Sequence, residues 1–375
     1  MLNVVKVRIY PKDKQKQTLH KTFGSCRLVY NLLLDARIKA YECGDSLSSY
    51  DLIKRLPAMK NSEDGQFLKE VDSTALQQSI INMDKAYQKF FKENAGFPKF
   101  KSKHNTMQSY KTLNAKIKDK RLYLPKIGLL KMKGFREFEG KLKSASVSFE
   151  AGQYHASLLF DDGVDFVKPK HNGKAVGIDI GVKLFATLSS GEMIKPLDLE
   201  KDIEKMKKAQ KSLSRKKKGS ANRNKAKAIL SKMHLKIKNK RNDFIHKLSN
   251  KITNENQVIV IEDLKIKNMT KRAVGTIANP KKSSGKRGLN RAITQQSWGE
   301  FFTMLEYKAI KKGGEVIKVN PAYTSQTCSK CGHVSKDSRK SQSKFECCSC
   351  GFKMNADLNA SFNIVNAAGF TVKAS

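Results

Sequence analysis

The stretch AVGIDIGV, residues 175–182, alternates Val176, Ile178 and Ile180 on one face of a strand and turns Asp179 to the other. An aspartate in mid-strand is unfavourable by propensity, so something has to compensate for it. Gly177 and Gly181 flank it, which suggests a backbone left bare for a phosphate or a metal ion to approach. A second apolar run, QVIVIEDL at 257–264, ends on Glu262, at the strand edge where α/β sheets place their ligands. A third acid, Asp357, falls in the first turn of a helix that Asn355 can cap, within NADLNASFNI at 355–364. One turn on, Ala360 and Ser361 are small enough to let that turn come close to a sheet.

Taken singly, an aspartate at a strand end is usually a turn former and one at a helix start is usually a partner of the helix dipole. Two strand ends and a helix start together match the need of a two-metal nuclease. Its paired Mg²⁺ ions, about 3.5–4 Å apart, require hard oxygen ligands, activate water and stabilise the leaving oxygen. Asp179, Glu262 and Asp357 are therefore the candidate metal-binding and catalytic residues, and the neighbouring Asp263 is assigned to a solvated loop.

Seven cysteines are present, five of them between 328 and 350. CSKC at 328–331 and CCSC at 347–350 give C-x₂-C, fifteen residues, C-x₂-C, a zinc spacing. The expected ligands of one Zn²⁺ ion are Cys328, Cys331, Cys347 and Cys350, with Gly332 and Gly351 easing the turns, Cys348 a bystander and His333 the less favoured substitute. Four thiolates leave no open position, so such a zinc is structural.

The 375 residues carry 74 Lys+Arg against 34 Asp+Glu, a formal charge of +40. That imbalance points to a polyanion, above all nucleic acid, with an anionic membrane surface as the rival. The sequence has no long apolar span and begins without a signal-like segment, so an intracellular, cytoplasmic protein is expected. Residues 201–252 hold 19 Lys/Arg and three acids, and the break KKKGSANRN divides them into a helical hairpin. Its second helix keeps a stripe of Leu230, Met233, Ile237, Phe244 and Leu248, leaving a positive side suited to a polyphosphate, RNA or DNA. Arg215, Lys216, Arg223 and Arg241 in the hairpin, and Arg339 between the cysteine pairs, are the candidate nucleic-acid contacts, although an exposed loop arginine is the plainer reading of Arg339. Core packing is the favoured reading of Tyr30, Phe90 and Phe91, with base stacking the alternative.

The chain reads as several domains of an α/β protein. Residues 2–10 form a strand ended by Pro11, and 12–94 are helical, with apolar Leu19, Phe23, Leu28, Leu32 and Leu33 in the first helix. Short alternating runs return between 121 and 163. Strand patterns at 174–196, a basic helical pair, a compact buried strand in NENQVIVIEDL at 254–264, a loop over 268–290, an amphipathic helix with Trp298, Phe301, Phe302, Leu305 and Ala309 on one stripe, and a further strand in EVIKVNPAY at 315–323 follow.

GIDIGVK, VIVIEDL, SWGEFFTMLEYKA, VNPAYTSQTCSKCG, FECCSCGF and NADLNASFNI succeed one another as in TnpB, the RNA-guided nuclease family of bacterial insertion sequences, related to the type V CRISPR effectors. GSCRLVYNLLL and FPKFKSK resemble that family's N-terminal half, so the resemblance spans nearly the whole chain. It implies an RNase H-like (RuvC) nuclease domain over 171–322 and 354–375 with Asp179, Glu262 and Asp357 as its acids, and a zinc-ribbon insertion over 323–353. It implies a wedge β domain, barrel-like, over 1–11 and 95–170, interrupted by a helical recognition domain over 12–94. It further implies a guide RNA from the transposon end, double-stranded DNA beside a short motif as target, two Mg²⁺ ions, a bacterial source and a monomer. The doubled cysteine at 347 and 348 departs from the family pattern. A nuclease-silent RNA-guided repressor and a strand-transferring transposase are the alternatives.

Overall fold

The computed structural model describes residues 1–104, 107–165, 174–272 and 282–370. The chain divides into two compact units, Met1–Asp165 with Ala209–Leu235, and Phe166–Lys208 with Lys236–Ser375.

The first unit opens with β1 (Leu2–Tyr10) and the 30-residue helix α1 (Asp13–Glu42). Helices α2 (Ser49–Lys54), α3 (Leu56–Asn61) and α4 (Ser73–Glu93) follow, then β2 (Met107–Thr112), β3 (Lys116–Lys118), β4 (Arg121–Leu124), β5 (Gly128–Lys133), β6 (Lys141–Glu150) and β7 (Gln153–Asp161). The strands form one antiparallel sheet in the order β2-β6-β7-β1-β5-β4-β3. The N-terminal strand therefore lies at the centre, paired with β7 from Leu2↔Asp161 to Ile9↔Tyr154. Among the described residues β2 and β3 stand at opposite edges and do not pair, so hydrogen bonds do not close the expected barrel. Ala151 and Gly152, both at positive φ, make the two-residue turn of the β6–β7 hairpin.

Helix α1 buries Leu19, Phe23, Cys26, Tyr30 and Leu33, spaced three and four residues apart. Leu28 and Leu32, expected on that stripe, fall on the far side and are exposed. Arg37 of α1 pairs with Asp84 of α4 at 2.5 Å and lies over the Tyr87 ring. Asp72 caps α4 through the Thr74 amide and accepts a hydrogen bond from Thr112 of β2, tying helix to sheet.

The second unit contains β8 (Ala175–Ile180), β9 (Ala186–Leu188), β10 (Met193–Ile194), α5 (Glu200–Ser214), α6 (Ala221–Glu255), β11 (Val258–Glu262), α7 (Ile266–Met269), α8 (Lys282–Gln296), α9 (Trp298–Lys311), β12 (Glu315–Val319), β13 (Lys344–Glu346), β14 (Lys353–Asn355) and α10 (Ala356–Ala367). The first and last parts of α5 and α6 fall in different units. The main sheet runs β10-β9-β8-β11-β12, with β8, β11 and β12 parallel and β9 and β10 antiparallel. β11 is apolar from Val258 to Ile261, up to its terminal Glu262, because both of its faces are covered. Ile259 and Ile261 join Val176, Ile178, Trp298, Phe301 and Leu305 on one side, while Val258 and Val260 pack with Val319, Ile364 and Val365 on the other. The five residues expected on the α9 stripe are all buried. In α6, Ile245 and Ile252 are buried more deeply than any of the residues expected on its stripe.

The loop expected over 268–290 is replaced in its second half by α8, and 273–281 lie outside the described residues. Gly285 and Gly288 weaken the helical signal locally, but tertiary bonds supply what propensity lacks. Lys286 Nζ donates to the Met269 carbonyl at 2.6 Å, Asn290 Nδ2 to that of Thr270 at 2.9 Å, and Ile293 is buried.

Gly177 is explained by packing and not by ligand approach. A methyl group there would lie 2.1 Å from the Ser361 carbonyl oxygen of α10 and crowd Val365 as well. Gly177→Ala is expected to push α10 off the sheet and destabilise the protein by about 1–3 kcal/mol or more. Gly288→Ala, with nothing within 4 Å of the added methyl, is expected to be neutral or slightly stabilising. Thermal unfolding of the two variants checks this ranking.

Candidate metal centre and active site

β8 and β11 pair in parallel with Ile178 opposite Ile261, so the next positions, Asp179 and Glu262, are neighbours at the C-terminal edge of the sheet. Strands about 4.8 Å apart bring two such carboxylates within mutual reach. The third acid comes from α10. Asn355 caps that helix, its Oδ1 accepting from the Asp357 and Leu358 amides, which fixes Asp357 in the first turn. Gly177, Ser361 and Val365 bring this turn against β8.

The electrostatics register the convergence. Burial, then the charges of Glu262 and Asp357, push the Asp179 carboxyl up to about 8, and Arg339 opposes the shift. Burial also raises Glu262, against the hydrogen bond from Thr324, and raises Asp357, against Arg339 and Lys183. Like-charged acids held together out of water resist ionising. A cation held among them would supply the missing charge, and the hard oxygens of Asp179, Glu262 and Asp357 are the donor type a divalent metal such as Mg²⁺ takes.

Arg339 is half-buried, unlike the exposed loop arginine of the plainer reading. Its Nη2 donates to Asp357 Oδ1 at 3.3 Å. The turn carrying it is held by Ser338, whose hydroxyl accepts from the Cys348 amide at 3.3 Å and meets its Sγ at 3.4 Å. Asp263 pairs with Lys265 in a partly exposed loop.

Three residues that matter to the site have no obvious signature in the chain. Thr324 Oγ1 donates to Glu262 Oε1 at 2.6 Å. Asn363 Nδ2 of α10 donates to the carbonyl oxygens of Thr324 and Thr327. Asn359 donates to the Thr327 carbonyl and accepts from the Ser329 amide. The available signal was two asparagines four residues apart on a helix face that is otherwise small or apolar; both are buried.

Those bonds fasten α10 to the cysteine segment. Cys328, Cys331, Cys347 and Cys350 are the group of metal-ligating side chains found among the described residues, with all ligand atoms within 4.8 Å of one another. Cys328 Sγ lies 3.7 Å from Cys350 Sγ, and Cys331 Sγ 3.7 Å from Cys347 Sγ. Zn–S bonds of about 2.3 Å in a tetrahedron imply edges of roughly 3.8 Å, so the cluster fits one Zn²⁺. Gly332 and Gly351, at φ of +76° and +70°, turn their amides back onto the Cys328 and Cys347 carbonyls. Phe345, fully buried with Cys328, Cys347 and Ala356, fills the space beneath.

The hairpin arginines are placed differently from one another. Arg215 is exposed and Lys216 half-buried. Arg223 Nη1 is used within the hairpin, donating to the Leu213 and Lys216 carbonyls at 2.8 Å. Arg241 is half-buried near Glu300, and its Nε has no partner among the described residues.

Acids gathered at the C-terminal edge of a mixed sheet, together with a four-thiolate metal-ligand set, in a strongly basic chain, define the class of α/β protein to which the chain belongs. The chain belongs to the TnpB family. It is 37% identical over its full length, and over 94% of the relative's, to "Putative RNA-guided DNA endonuclease InsQ" of Escherichia coli (strain K12). It is 34% identical over 98% of its length, and 90% of the relative's, to "Putative RNA-guided DNA endonuclease" of Streptomyces pristinaespiralis. A 58-residue stretch is 50% identical to "CRISPR-associated endodeoxyribonuclease Cas12f1" of Sulfoacidibacillus thermotolerans, covering 16% of this chain and 14% of that one. Family models described as "Probable transposase", "Cas12f1-like, TNB domain" and "Helix-turn-helix domain" match residues 157–273, 298–364 and 1–46. Within 1–46 the structure has one strand and one long helix, β1 and α1. Among the described residues no helix is long and apolar enough to cross a membrane.

The raised acids give a signed pH dependence. A carboxyl whose folded pKa exceeds its unfolded value binds its proton more tightly when folded. Its contribution to stability is full below the unfolded pKa, near 4, and is lost as pH rises through the folded one, about 8 for Asp179. In Mg²⁺-free buffer that leaves zinc in place, the melting temperature is expected to fall between pH 5 and 9 (assay range, roughly spanning that window), and less so in Asp179→Asn. Added Mg²⁺ is expected to raise the wild-type value at the alkaline end but not the variant's. In the thiolate cluster, Cys347→Ser is expected to lower the zinc content and the melting temperature, and Cys348→Ser to keep the full complement. Metal analysis and thermal melts of the purified variants decide the ligand register.

Proposed function

We propose that this chain is a transposon-encoded RNA-guided DNA endonuclease that hydrolyses phosphodiester bonds at Asp179, Glu262 and Asp357. The observation that carries the reading is the meeting of these three acids, from two parallel strands and a helix start, in a +40 chain related over its full length to proteins named as RNA-guided DNA endonucleases. The mixed five-stranded sheet, with α10 on one face, supports an RNase H-like (RuvC) nuclease domain over 171–322 and 354–375. The four-thiolate cluster supports a zinc-ribbon insert over 323–353. The antiparallel sheet and helices of the first unit support a wedge domain over 1–11 and 95–170 and a recognition domain over 12–94. Guide RNA and double-stranded DNA are the partners, with base pairing and not side chains reading the target sequence.

Two Mg²⁺ ions bound by the three acids would activate the attacking water and stabilise the leaving oxygen. The protein's own groups do the positioning. Thr324 holds one oxygen of Glu262 and so aims the other; the Asn355 cap holds Asp357. Arg339, paired with Asp357, is within reach of a phosphate brought to the acids and supplies a fixed positive charge to its oxygens. Water adds to phosphorus and the bridging oxygen departs with a proton, leaving a 5′-phosphate and a 3′-hydroxyl. The zinc-bound loops hold the turn that carries Arg339 while taking no part in the chemistry.

The test is cleavage of guide-matched duplex DNA by the purified ribonucleoprotein in Mg²⁺. Asp179→Ala is expected to lose at least about 10²–10³-fold in cleavage rate while retaining RNA. Wild-type cutting by that variant would refute the assignment of the acids, and uncut but guide-dependent DNA occupancy by the unmutated protein would replace the endonuclease with a repressor.

A further inference from the structure

The C-terminal end of α4 and the segment after it hold three phenylalanine rings, Phe90, Phe91 and Phe97, outside the core of the first unit but packed on Tyr87, which belongs to it. Phe90 and Phe91 have ring centroids 5.0 Å apart, Phe90 and Phe97 5.3 Å, and Tyr87 and Phe97 5.4 Å. Tyr87 is buried and roots the group; Phe91 is 62% exposed, Phe97 44%, and the nearby Phe100 55%. Single exposed apolar residues are ordinary, but several large rings in one short segment are not.

The rings are held out by structure. Asn94 closes α4 in the left-handed conformation, its amide returning to the Lys89 carbonyl, and the Ala95 amide does the same at 3.2 Å. Pro98 is buried. Asn31 of α1 then exchanges two hydrogen bonds with the Lys101 backbone, at 2.8 and 2.9 Å, pinning the far end of the segment. Protruding rings on a fixed backbone lose little freedom when something stacks on them.

The surrounding charge selects the occupant. Residues 85–103 contain six lysines and a single acid, Glu93. Lysines between exposed aromatic rings suit a strand whose phosphates meet the ammonium groups while its bases lie on the rings. The bases must be unstacked. A folded guide RNA offers unpaired loop and bulge nucleotides before any target arrives, whereas duplex DNA presents its bases already paired. We infer that Phe91 and Phe97, flanked by Lys89, Lys92 and Lys99, form a stacking platform for unpaired nucleotides of the guide RNA. The inference rests on the RNA-guided reading and adds a site to it.

The experiment measures binding of a single-stranded oligouridylate, and of its DNA counterpart, to full-length protein carrying Asp179→Ala, at several salt concentrations. Phe91→Ala with Phe97→Ala is expected to weaken RNA binding about tenfold or more without changing the salt slope, because no phosphate contact is removed. Phe91→Ala alone, which removes the most exposed ring, is expected to show a smaller loss in the same direction. Tryptophan at both positions is expected to keep the affinity and leucine to lose it. Unchanged RNA affinity in the double alanine variant, full rescue by leucine, or a loss confined to the DNA oligonucleotide overturns the platform. So does a parent protein that self-associates through these rings, seen as a change in sedimentation on mutation. A parent that binds no RNA overturns the RNA-guided reading together with the platform; a parent that binds RNA as well as its alanine variant overturns the platform alone.

Discussion

Helix α10 can lie against β8 only because position 177 has no side chain, with the Ser361 carbonyl where a methyl group would be. Much of the second unit follows from that close approach. It brings the first turn of α10, and with it Asp357, to the edge where Asp179 and Glu262 already stand side by side. It also presents Asn359 and Asn363 to the chain between β12 and the first cysteine pair. Through Thr324 the same strap reaches Glu262, so an acid on β11 and an acid on α10 are braced by one set of hydrogen bonds. Buried amides of this kind are costly to leave unpaired, and here backbone groups of Thr324, Thr327 and Ser329 satisfy them.

The site has the opposite electrostatic character from the chain that contains it. A formal charge of +40 draws polyanions toward the protein from a distance, and salt weakens that attraction. At the acids the sign reverses. Three carboxylates, all partly buried, repel a phosphate and one another when ionised, and Arg339 offsets only part of this. Under the proposed function, attraction and chemistry are therefore separable: basic surfaces hold nucleic acid without metal, and the acids accept a phosphodiester only when divalent cations have reversed the local charge.

What could be read in the sequence was what is local. The C-x₂-C pairs specify their own turns, so the four thiols needed no knowledge of the rest of the fold. Asp179 and Glu262 stood out because an acid at the end of an apolar strand is costly, and Asp357 because Asn355 is a recognisable cap. Misreadings came from contacts between distant segments. Gly177 looked like room for a ligand, when the space belongs to a helix nearly two hundred residues later in the chain (roughly the separation of 177 and 361). Leu28 and Leu32 are apolar but fall off the buried stripe of α1, which composition does not reveal and rotation about the helix axis does. The glycines of α8 disguised a helix whose support comes from Met269 and Thr270. Thr324, Asn359 and Asn363 carry no motif, since a buried amide is indistinguishable from a surface one until its partners are in place.

The doubled cysteine illustrates how a departure from a spacing pattern acquires a structural use. Cys347 belongs to the thiolate cluster, and Cys348 points away from it to the hydroxyl of Ser338, which is wholly buried. Ser338 receives the Cys348 amide as well, so two bonds converge on one hydroxyl. The next residue is Arg339, whose backbone bridges to Phe345 in the floor of the cluster and whose guanidinium meets Asp357. The path from thiolates to guanidinium is thus short and runs through two buried residues, Phe345 and Ser338. A ribbon that only gripped nucleic acid would not need to end on the carboxylate of the neighbouring helix. This one does, ending on the guanidinium of Arg339, which pairs with Asp357.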